Sequence, residues 1–176
     1  MNIQRLARGL LGLNLLVGLV SSNAVTTLAA QPASFDTDSV VGSGRWKGDV
    51  QGQGVTTIEV QVTAKSGPLG EDAEGHLFFN HSTEAFGDDD FRGEVTGLAV
   101  DGTRGRVCGI IVDATNPSII GFFFLFEFFD NGGPNDPITD QFNVQTISFI
   151  NSCPPPTNVQ GLPAQRGNFV IRDANP

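Results

Sequence analysis

Asp130 to Asp140 (DNGGPNDPITD) gathers five Asp or Asn side chains in eleven residues: Asp130, Asn131, Asn135, Asp136 and Asp140. Hard oxygen donors at this density are what calcium needs, since it takes about six to eight such ligands, some of them backbone carbonyls. The offsets do not fit a helix–loop–helix calcium loop, whose acids and glycine stand at fixed positions. Asp, Asn, Gly and Pro also build plain connecting turns. The stretch therefore reads as a calcium loop or a structural turn, and no cofactor other than calcium is implied. Asp88, Asp89 and Asp90 form a weaker acidic run that stays solvated by mutual repulsion.

Catalytic constellations are sparse. No G-x-S-x-G elbow occurs, and Ser43 and Ser66 have no histidine in a recognisable pattern. His76 and His81 are five apart on a predicted strand, so they point to opposite faces and make a poor metal pair with two thiols. Glu59, Glu94 and Glu127 fall on predicted strands, where two inward carboxylates could flank a glycosidic bond. Glu127 stands out because it interrupts an apolar run; a buried carboxylate must find a partner, and Arg92, Arg104 and Arg106 are the candidates.

The elements that would position these groups are strands. Ile119 to Asp130 (IIGFFFLFEFFD) holds six of the fourteen phenylalanines, with rings on both alternating faces, and reads as a strand buried on both sides. Val55 to Ala64 alternates, with Ile58, Val60 and Val62 on one side. Val40–Lys47, Gly75–His81, Phe91–Val100, Arg106–Val112, Gln141–Ile150 and Gly167–Arg172 supply six more. Gly93 and Gly97 mark a bulge in the fourth, where the apolar parity switches. Asp101–Gly102 is a tight-hairpin signal. The expectation is an all-β fold, an antiparallel eight-stranded barrel or barrel-like sandwich.

The first 30 residues read as a signal peptide and leader, with Arg5 and Arg8 before an apolar stretch and cleavage after Ala24 or Ala30. Residues 31–39 read as a flexible leader and 40–176 as a single β domain. A secreted, extracellular location follows, with no membrane anchor after processing. The net charge is −9, and about −11 once Arg5 and Arg8 are removed, which disfavours nucleic acid and anionic lipid as partners. Tyr is absent and Trp46 is alone, which weakens a carbohydrate platform. Cys108 and Cys153 in an oxidising destination admit a disulfide, although the strand order does not by itself bring them together; buried free thiols are the alternative.

Gly42–Trp46 (GSGRW), Gly75–His81 (GHLFFNH), Val95–Gly102 (VTGLAVDG), Asp130–Gly132, Asp140–Phe142 and Gly167–Ile171 (GNFVI), in this order, resemble post-COAP-type domains, uncharacterised bacterial secreted domains associated with a "choice-of-anchor P" region. The resemblance implies an exported β domain and no reaction. Relatives of that type pass more compactly from the Asp-Asn-Gly turn to Asp-x-Phe, and some carry Cys at the position of Gly97, so the disulfide pattern and the long loop lie outside what it implies. The function expected is a structural or binding module without catalysis, acting through a protein partner or self-association at the outer side of the phenylalanine strand. Gly44-x-Trp46 raises a lipocalin-like carrier of a small apolar ligand as the alternative, and a calcium-stabilised exported domain is a third reading.

Overall fold

A computed structural model describes residues 36–49, 54–84, 87–133, 139–148, 153–157 and 159–174, of which 145–148 by backbone alone. The signal segment and residues 31–35 of the leader lie outside them, as do Asn135 and Asp136, whereas the last two leader residues, Asp38 and Ser39, open β1. The strands are β1 (Asp38–Asp49), β2 (Val55–Ser66), β3 (Glu74–Thr83), β4 (Gly87–Asp101), β5 (Arg104–Ala114), β6 (Phe123–Phe129), β7 (Gln141–Ser148), β8 (Leu162–Pro163) and β9 (Arg166–Arg172). All pairings are antiparallel, in the order β8-β7-β6-β5-β4-β3-β2-β1-β9. Only Ala164 and Gln165 separate β8 from β9, so the two ends of that order meet and the sheet curls round on itself. Ala164 N–H donates to Asp140 O on the β7 side, and Gln165 N–H to Arg45 O on the β1 side. The chain is thus all-β and barrel-like, with nine strands where eight are expected. No helix among the described residues is long and apolar enough to cross a membrane.

The ninth strand is the two-residue β8, which sits in a stretch whose Gly and Pro signal only a loop. Two other boundaries move. Asp88–Asp90 pair in register with Ser82, His81 and Asn80, so the acidic run extends β4 ahead of the expected start at Phe91. Ile119–Phe122 precede β6 instead of opening it. Asn116 caps a single 3-10 turn over Pro117–Ile119, its side chain accepting from Ser118 N–H, and that turn delays the strand until Phe123.

The interior is aromatic. Phe124, Phe126 and Phe128 point inward from β6 and are fully buried. Their rings join Phe79, Phe91, Phe142 and Phe169 in one connected series, with centroid separations from 4.9 Å (Phe128–Phe169) to 6.3 Å (Phe126–Phe128). Glycine makes the room: a Cβ on Gly93 would lie 2.1 Å from the Phe124 ring. Gly93 and Gly97 each stand at a register shift between β4 and β5, as the parity switch predicts.

The opposite side of β6 is also covered. Residues 153–157 cross the outer face of β5 and β6 as a strap. Its first residue is bonded by the Cys108–Cys153 disulfide, S–S 2.07 Å, which bridges strand and strap where the linear strand order gives no hint of it. The bridge rests against Gly97, where a Cβ would stand 2.8 Å from the Cys153 Cβ. Phe123 and Phe129 are buried too, so the phenylalanine strand is enclosed on both sides and offers no exposed aromatic patch.

The seam between β9 and the β6–β7 connection is held by carboxylates. The N–H groups of Phe169 and Ile171 point away from β1. They donate to Asp140 Oδ2 at 2.6 Å and Asp130 Oδ2 at 3.1 Å. Farther along, Asp38 is buried and accepts from Ala174 N–H at 2.8 Å. Burial raises the Asp38 pKa above its ordinary 3.8; the Ala174 N–H opposes this, and the Asp173 and Glu71 charges add to it. A raised folded-state value favours the protonated folded chain, so this contribution is complete below 3.8 and is lost as pH rises through the folded value. Asp38→Asn, which keeps the acceptor and removes the charge, is expected to be more stable than the parent near neutral pH. The difference should vanish in acid, as read from denaturant melts at stepped pH.

Candidate functional site

Because successive residues of a strand face opposite ways, the outer side of β9-β1-β2-β3-β4 can be read as cross-strand rows. One row is Val170, Val41, Thr63, His76 and Glu94, continuing to Ile110 on β5. The next is Asn168, Ser43, Gln61, Phe78 and Arg92, continuing to Asp113. Two adjoining clefts lie along them. One of about 790 Å³ is lined by Val41, Ser43, Gln61, Thr63, His76, Phe78, Arg92 and Asn168, among others. A second, of about 630 Å³, shares Val41, Thr63 and His76 and extends to Lys65, Glu74, Glu94 and Arg172. Val41 (45% exposed), Val170 (43%), Ile110 (41%) and Phe78 (38%) are large apolar side chains left open on this side. They stand among amide, hydroxyl and imidazole groups, a mixed surface that offers apolar contact points with hydrogen-bonding groups between them. Lys65 and Glu74 close one end with an ion pair of 2.8 Å. The hydrogen bond between them, reinforced by their opposite charges, raises the Lys65 pKa and lowers that of Glu74.

The expected chemistry is distributed differently. Of the calcium set, Asp130, Asn131 and Asp140 do come together, but through bonds among themselves and to β9. Asp140 Oδ1 accepts from Asn131 N–H at 2.9 Å and Asp130 Oδ1 from Gly132 N–H at 3.1 Å, while the other oxygen of each carboxylate takes a β9 N–H. These two carboxylates are occupied as backbone caps, and no group of three or more metal-ligating acids, histidines or thiols occurs among the described residues. His76 is exposed on the outer face, whereas His81 faces the other way, its ring 6.3 Å from that of Phe79. Asp90 accepts from the Thr115 hydroxyl, and Ser66 donates to Gly67 O.

None of the three strand glutamates projects into the interior. Glu59 lies outside and pairs with Arg45 at 3.2 Å. Glu94 is outside, opposite His76. Glu127 is fully buried, but beneath the strap rather than in the barrel. It pairs with Arg106, which stands directly across from it on β5, and accepts from Thr157 N–H at 2.6 Å and the Thr157 hydroxyl at 3.0 Å. Arg106 also donates to Pro154 O at 3.2 Å. Of the three arginines open to Glu127, the register selects Arg106. The ion pair, two strap residues and the disulfide form one buried polar cluster whose hydrogen bonds serve the fold.

The sequence singles out Ser43, His76, Arg92 and Glu94 separately, but not their assembly with Val41, Gln61, Thr63 and Phe78 in the outer clefts, since these types are ordinary and only the five-strand register brings them together. No protein-family model, no curated protein and no solved structure matches this chain.

Proposed function

We propose that this chain is an exported module of the post-COAP type, secreted or held at a bacterial cell surface, whose work is binding or structural and not catalytic. The observation that carries the reading is the pair of adjoining clefts on β9-β1-β2-β3-β4, where Val41 and Phe78 stand exposed among Ser43, Gln61, Thr63 and His76. The connected phenylalanine rings across the interior favour a ligand on the outside over an apolar ligand carried within. The enclosed outer side of β6 moves the expected contact surface to the opposite strands.

The labelled mature chain should bind washed cells or envelope of the producing organism saturably. Phe78→Ser with Val41→Ser should weaken that binding by about tenfold or more, as loss of central apolar anchors does. Both positions are open to solvent, so the melting midpoint should stay nearly unchanged. Binding equal to the parent's would exclude this face as the site.

A further inference from the structure

At one corner of the outer face, β1 and β9 bring cations together in an otherwise acidic chain. Arg45 and Arg166 are directly opposed partners of the antiparallel β1–β9 pair. With Lys47 and Gln165 they line a pocket of about 250 Å³. Like charges placed opposite one another on adjacent strands are destabilising, yet hydrogen bonds hold this corner together. Gln165 extends the β1–β9 ladder with its side chain: its Oε1 accepts from Lys47 N–H at 3.0 Å and its Nε2 donates to Lys47 O at 2.8 Å. Its own N–H donates to Arg45 O at 2.8 Å. The amide thereby holds β1 against the start of β9 and fixes where the three cationic side chains leave the backbone.

Glu59 pairs with Arg45 through Nε at 3.2 Å. Neither Arg166 nor the Lys47 ammonium is in an ion pair among the described residues. Three cations against that one carboxylate leave two positive charges on the pocket. Asp49 is the next carboxylate along the same face of β1, beyond Lys47.

We propose that this corner is a binding site for a tetrahedral dianion, as inorganic phosphate or sulfate or as a phosphate monoester on a larger molecule. A dianion matches the uncompensated charge. Guanidinium groups present paired donors to adjacent oxyanion oxygens, and an ammonium adds a point charge. The site goes beyond the function proposed above and does not depend on it.

The test uses the mature chain at low ionic strength, with thermal melts and calorimetric titration against sodium sulfate, sodium phosphate, glucose 1-phosphate and sodium chloride at matched ionic strength. The melting midpoint should rise saturably with the dianions and not with chloride. Arg166→Gln should move two readouts in opposite senses: a higher midpoint without anion, because the opposed charges are relieved, and binding about tenfold weaker. Lys47→Gln should weaken binding without that gain, and Phe78→Ser should leave it intact. Tighter binding of the monoester than of the free ions would assign the group to a larger ligand, and the reverse would assign the site to the free ion. Equal response to chloride, or an Arg166→Gln chain that binds sulfate as the parent does, would overturn the proposal.

Discussion

Glu127→Gln is expected to destabilise the fold by about 3–5 kcal/mol, among the largest losses available to a single polar substitution in this chain. The reason is what stays behind. Arg106 is 2% exposed and sits under the strap, so a neutral amide opposite it leaves a buried cation without its counter-charge. It also weakens the acceptor that receives Thr157 N–H and hydroxyl. Replacing both partners with apolar residues of similar volume, Arg106→Met with Glu127→Leu, should cost much less, because no charge remains to be solvated. Chemical denaturation of the three chains, read at constant slope, separates these outcomes. Equal losses in the single and double variants would show that packing, and not the uncompensated charge, sets the cost.

Cys108→Ala with Cys153→Ala is the second large effect, about 4 kcal/mol in the chain-entropy account for residues 45 apart in sequence. Part of that loss should be shared with the ion pair. Once the bridge is gone, the strap is held to β5 and β6 by the Arg106–Pro154 and Glu127–Thr157 bonds, and water gains access to the arginine. Glu127→Gln should therefore cost less in the cysteine-free background than in the parent, a positive coupling of the kind a double-mutant cycle measures. Strict additivity would mean that the strap stays in place without its covalent tie.

Much of this fold is legible in the chain because its signals are local. The alternation of Ile58, Val60 and Val62 gives β2 its faces, the doubled aromatic faces of β6 announce burial on both sides, and Gly93 and Gly97 foretell the register shifts opposite β5. What escapes is what depends on register between distant segments. Nothing near Cys153 says that five residues of a proline-rich connection will lie across β5 and β6. Pro163 argues locally against a strand, yet β8 pairs through Leu162 and Pro163 at the edge of the sheet. The acidic loop illustrates the same limit. Asp130 and Asp140 stand out in the sequence for their oxygens, and those oxygens are engaged, but their donors are amides 41 and 29 residues farther along the chain. The cationic corner was invisible for that reason too, since Arg45 and Arg166 meet only when the last strand returns to the first.

The carboxylate caps on β9 bear on how copies of this chain behave together. An outermost strand with open amides is a template on which a neighbouring molecule can lay its own backbone, and repetition of that step grows a fibril. Here the amides of Phe169 and Ile171 are already taken by side chains, which cannot continue the ladder. Strand addition is therefore opposed at these two positions, because an incoming backbone would find both amides already occupied and would have to displace a carboxylate from each.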